Sequence, residues 1–120
     1  VYKLGVIEES LENLDTLKTL QPYFFSQRIE KVPDDTSPIW HTNEYHIPEE
    51  NVADLLPLLE RQVKKTWYIH AFNDKVLIVI LKNKSFQISL TKDDSWNEMI
   101  AYGRSMDVES DYLEHIPLHI

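Results

Sequence analysis

Two short stretches hold most of the residues that could do chemistry, His41-Thr42-Asn43-Glu44-Tyr45-His46 and Trp67-Tyr68-Ile69-His70. A carboxylate beside an imidazole orients the ring and raises its pKa, which is what a general base needs. Residues two apart in a strand share a face, so Glu44 and His46 go with Thr42 and Trp40, and His70 goes with Tyr68 and Phe72. If both strands present these residues on one side of a sheet, Trp40, Glu44, His46, Tyr68 and His70 form an acid–base patch. The catalytic reading makes His46 or His70 the base, Glu44 its orienting carboxylate and Tyr68 a hydrogen-bond donor. The plainer reading, ordinary strand histidines bonding locally, is the favoured one.

A metal reading is weaker still. His41 and His46 are five apart and point to opposite faces of a strand, so they cannot share an ion without a bulge. His115 and His119 flank Ile116-Pro117-Leu118 and read as solvated tail residues, while Trp40 and Trp67 read as packing aromatics. No metal and no organic cofactor are expected.

The chain has no cysteine, which removes thiolate nucleophiles, disulfides and Cys-based zinc sites together. Its only glycines are Gly5 and Gly103, so no glycine-rich phosphate loop or nucleophile elbow exists, and HExxH and Asp-rich calcium loops are absent. Twelve Lys and Arg stand against twenty Asp and Glu, a net charge of -8 that repels polyphosphate backbones and makes nucleic acid a disfavoured partner. The longest apolar run, Val76–Leu81, is far short of the roughly 20 residues that span a bilayer. With no basic, apolar leader at Val1, a cytoplasmic protein without membrane contact is expected.

The elements that must position these residues follow from periodicity. Tyr2–Ile7 reads as a strand, then Ser10 as an N-cap for a short helix with Leu11, Leu14 and Leu17 inward, ended by Pro22. Phe24–Val32 reads as a strand with Phe25 and Ile29 on one face, and Ile39–Ile47 as its neighbour after a Pro- and Asp-rich turn. Pro48 opens a helix whose Val52, Leu55, Leu56, Leu59 and Val63 make an apolar stripe, with Pro57 expected to bend it or delay its start. A meander follows, Trp67–Phe72, Lys75–Leu81 and Phe86–Leu90, then a helix capped near Asp94 or Ser95 with Gly103 near its end. Val76–Leu81 is apolar on both faces, as in a strand covered on both sides.

The stretches Trp67–Asn73, Val76–Ile80 and Phe86–Ser89 resemble a family of small hypothetical prokaryotic proteins of unassigned activity. That resemblance implies no site residue. Residues 1–120 are expected to form a single α+β domain: a mostly antiparallel sheet with helices on one face, a ferredoxin-like β-α-β-β-α-β start followed by β-β-α. The C-terminal stretch from Asp107 should dock through Tyr112, Leu113, Ile116, Leu118 and Ile120. The leading functional expectation is a non-enzymatic interaction or accessory protein, pairing with itself through its open sheet face or with another, basic, protein. The alternative is a small cofactor-free enzyme or a ligand- or metal-binding protein built on the His/Glu patch.

Overall fold

In the computed structural model, which describes Val1–Ile120, six strands form one antiparallel sheet and four helices pack on it. The strands are β1 (Tyr2–Ile7), β2 (Phe24–Lys31), β3 (Ile39–Ile47), β4 (Ile69–Phe72), β5 (Leu77–Leu81) and β6 (Lys84–Ile88). The helices are α1 (Thr16–Leu20), α2 (Glu49–Gln62), α3 (Asn97–Ser105) and α4 (Ser110–Glu114). Across the sheet the order is β2-β3-β1-β4-β5-β6.

The alternation in β1 sends Tyr2, Leu4 and Val6 to one face, where they meet Tyr45 and Ile47 of β3 and Ile69 and Ala71 of β4. The stripe Val52, Leu55, Leu59 and Val63 closes this core, with Leu11 and Leu20 joining from the α1 side. α2 runs through Pro57 without a break. β5 puts Ile78 and Ile80 into this layer and Leu77, Val79 and Leu81 into a second one on the opposite face. There Trp96 and Met99 of the α3 region, Leu113 of α4 and Ile116 complete a separate core.

Helices therefore cover both faces, which corrects the expectation of helices on one face only. The physical reason is β5: a strand apolar on both sides exposes whichever face is left bare, so each needs its own cover. α3 and α4 supply it over the β4-β5-β6 end. The face opposite α1 and α2 is left to the C-terminal segment over β1, β3 and β2.

Local differences from the sequence reading have local causes. Ser10 does not cap a helix, because its Oγ donates to the Ile7 carbonyl at 2.6 Å inside a short 3-10 turn. The helix starts only at Thr16, after Asn13 Oδ1 accepts from the Asp15 N–H, and Leu14 is exposed. Phe25 and Ile29 do not share a face, because a bulge between Phe24 and Ser26 shifts the register. Phe24 meets Tyr45 edge-on, Phe25 stacks on His46, and Ile29 pairs with His41. β4 begins at Ile69, since Trp67 is held in a turn by its N–H to the Lys64 carbonyl.

The last long helix is entered through a 3-10 turn, Asp94–Trp96, which Asp93, not Ser95, caps: its carboxylate accepts from the Ser95 N–H at 2.9 Å, and α3 itself carries no side-chain cap. Gly103 lies inside α3, where a Cβ would come within 2.6 Å of Leu113 Cδ1, so its smallness admits α4. The left-handed residue that ends α3 is Asp107, followed by a bond from the Val108 N–H to the Gly103 carbonyl.

Candidate functional site

Strand pairing fixes where the chemistry-bearing residues lie. On β3, Tyr45 and Ile47 face the α1/α2 core, which turns Trp40, Thr42, Glu44 and His46 to the other side. On β4, Ile69 and Ala71 face that core, which turns His70 to the same other side. Gly5 pairs with Glu44 on one flank and His70 on the other, so β1 separates the two by two strand spacings, roughly 10 Å between backbones.

The notch over Gly5 is filled. A Cβ there would lie 2.7 Å from Ile120 Cδ1 and 3.0 Å from His70 Cε1, so the missing side chain is what lets Ile120 pack down between the two flanks. The Ile120 carbonyl further accepts a hydrogen bond from Arg28 Nη1. The four residues singled out from the sequence thus fall into two separate pairs.

Glu44 and His46 form the first. His46 Nε2 lies 2.5 Å from Glu44 Oε2, and the Phe25 ring stacks on the imidazole with centroids 4.0 Å apart. Both are half-buried, and neither lines a cavity with His70.

Tyr68 and His70 form the second, in a cleft of about 620 Å3 between the sheet and the C-terminal segment. Their rings are 5.9 Å apart, and Phe72 stacks on the far side of His70 at 5.8 Å. His70 is 8% exposed, and its Nε2 bonds the His119 carbonyl at 3.3 Å. Burial pulls its pKa down to about 4 against the partial support of the backbone carbonyls of His119 and Pro117, so the ring is neutral at neutral pH. Burial, with a smaller contribution from Tyr112, pushes the Tyr68 phenol up to about 12. Neither group is tuned to exchange protons near neutrality.

Aromatic rings and carboxylates make up the rest of the cleft. Trp40 and Trp67 meet edge to face at 5.2 Å, and Tyr112 stands opposite on α4. The Trp40 indole Nε1 is buried without a hydrogen-bond partner. Glu30, Asp35, Asp107, Glu109 and Asp111 supply negative charge. Arg28 is tied to Glu30 Oε1 at 2.8 and 3.1 Å, and Asp107 pairs with Lys65 at 3.2 Å, whereas Glu109 and Asp111 are in no ion pair.

No protein-family model, curated protein or solved structure matches this chain. What the cleft can do rests on its own residues. No group of three or more His, Asp or Glu side chains is placed to hold a metal ion, and no helix is long and apolar enough to cross a membrane.

The sequence reading passed over two features. The cleft's acidic wall lies in the tail, where Asp107, Glu109 and Asp111 alternate ahead of Tyr112, a spacing that marks one charged rim. The second is the pairing of His41 with Glu9, on the α1/α2 side. The His41 backbone N–H donates to Glu9 Oε1 at 2.7 Å and its Nδ1 lies 2.6 Å from Oε2, a bond that raises the imidazole pKa. On Glu9 burial raises the pKa, but the bonds from His41 outweigh it and the net shift is downward. The pair Glu8-Glu9 directly after β1 was the available signal.

Proposed function

We propose that this domain is a non-enzymatic interaction module whose cleft receives a cationic side chain from a basic protein partner. The observation that carries this reading is the cleft's pairing of Trp40, Trp67, Tyr68 and Tyr112 with carboxylates that include the unpaired Glu109 and Asp111. A guanidinium or ammonium over an aromatic face gains about 0.5–2 kcal/mol, more where water is excluded, and a neighbouring carboxylate adds a charge-assisted bond. The volume of about 620 Å3 suits a side chain with its flanking backbone. The net charge of -8 would steer a basic partner in. A neutral His70 and a protonated Tyr68 favour holding a ligand over moving a proton.

The test is calorimetric titration of a capped tri-arginine peptide, with capped tri-glutamate as control. Saturable binding of tri-arginine alone, weakened about tenfold by Trp40→Ala and by Glu109→Gln with Asp111→Asn, is the expected result. Equal binding of both peptides, or none, would remove the proposal.

A second reading keeps a cofactor-free enzyme or ligand-binding protein on the His/Glu patch, and the 2.5 Å Glu44–His46 contact supports it. It needs Ile120 to leave the notch over Gly5 so that a ligand can bridge Glu44 and His70. A cytoplasmic location belongs to the same proposals, supported by the lack of cysteine. So does a ferredoxin-like origin for β1 to β4 with α1 and α2, supported by β3 lying between β2 and β1.

A further inference from the structure

β2 is an edge strand of eight residues whose side chains are almost all exposed. Phe24, Phe25, Ile29 and, on β3, Ile39 leave large apolar side chains in water there, Ile29 at 62% exposure. The opposite edge, β6, is a five-residue strand headed by Lys84, whose ammonium lies over the Phe86 and Tyr102 rings. A long, apolar edge left uncovered is a template for another strand.

Its backbone has a defined free side. Val32 donates its N–H to the Pro38 carbonyl, so in the alternating antiparallel ladder Glu30, Arg28 and Ser26 also bond to β3. The N–H and C=O groups of Gln27, Ile29 and Lys31 therefore point outward. An antiparallel partner must bring outward-facing residues opposite these.

We infer that two copies of this chain pair antiparallel through β2 about a two-fold axis at Ile29, joining their sheets into one. In that register Ile29 faces its own copy as a hydrogen-bonded pair, and Gln27 and Lys31 exchange bonds across the axis. Arg28 then stands opposite Glu30 of the other copy, twice, at the non-hydrogen-bonded positions where cross-strand side chains lie closest. The strand is its own complement in charge, in apolar contact and in backbone pattern. Arg28 and Glu30 already bond each other within one strand at 2.8 Å, so pairing turns two ion pairs into a four-charge cluster. A shift of the register by two residues would break the match by setting Glu30 against Glu30 or Arg28 against Arg28.

Sedimentation equilibrium and light scattering test the register directly. The wild-type chain is expected to dimerise reversibly. R28E alone and E30R alone each place like charges opposite one another and should weaken self-association about tenfold or more. An equimolar mixture of the two single variants restores both Arg–Glu contacts and should dimerise, as should the double variant R28E/E30R. Ile29→Pro removes both the outward N–H and the apolar side chain at the axis, on an edge strand where proline is tolerated, and should also give monomer, with an unchanged far-UV circular dichroism spectrum. A wild-type chain that stays monomeric to millimolar concentration, a dimer indifferent to R28E, or a mixture that fails to associate would overturn the inference.

Discussion

β5 and β2 belong to one sheet but sit in opposite surroundings. Every residue of β5 is buried, Ile80 at 0% exposure, because α2 packs on one face and the α3 region and α4 on the other. β2 is exposed along almost its whole length, and Ile29 keeps most of its surface in water. The sheet thus has two unlike ends: the β5 end holds the fold together, and the β2 end, with the cleft beside it, is the one proposed for recognition. Apolar side chains occupy both ends, so residue type alone does not tell core from contact surface.

The sharpest way to break this division is to truncate the same side chain at each end. Ile80→Ala should cost about 4 kcal/mol, from lost burial plus the cavity left behind. Ile29→Ala should change monomer stability by less than about 0.5 kcal/mol. Urea unfolding of both variants reads the difference, and similar losses would refute it.

Acidification tests the cleft's floor next. His70 titrates at about 4 in the folded protein and at its ordinary 6.5 in the unfolded chain, so between those values the unfolded chain binds the proton more tightly. Its contribution is complete above pH 6.5 and is lost as pH falls towards 4, by about 3 kcal/mol in all. His70→Phe should flatten that slope in thermal melts taken across the window.

How much of this was legible in the sequence differs between the same two ends. The two-sided apolar run at β5 already demanded cover on both faces, although the helices were assigned to one. The stripe in α2 and the bounds of β1 and β3 follow from periodicity, because those segments bury a single regular face. At β2 the bulge rests on Phe24 against Tyr45 and Phe25 against His46, partners that only strand register brings together. Parity puts Glu44 and His46 on one face of their strand, yet nothing local says that His70 shares that face or that β1 lies between them. The cleft needs contacts between residues near 40 and near 110, a separation that no local pattern spans.

Smaller effects refine the picture. Gly5→Ala sets a methyl 2.7 Å from Ile120 Cδ1 and should lift the tail, costing about 2 kcal/mol and speeding amide exchange at the C-terminal end. On the other face His41 behaves oppositely to His70: its pKa is raised by Glu9, so whatever stability that bond adds is present below the ordinary imidazole pKa while Glu9 stays ionised, and is lost as pH rises through the raised folded pKa. Glu9→Gln should return the His41 titration in NMR towards the ordinary value and leave His70 untouched.

The most direct test of the recognition end uses the three tryptophans. Trp40 and Trp67 line the cleft, whereas Trp96 is buried in the α3 core with its Nε1 donating to the Ser89 carbonyl at 2.8 Å. Capped tri-arginine added to 15N-labelled protein should shift the indole signals of Trp40 and Trp67 saturably and leave that of Trp96 in place. Movement of all three together, or of none, would contradict the assignment of this cleft to a cationic partner.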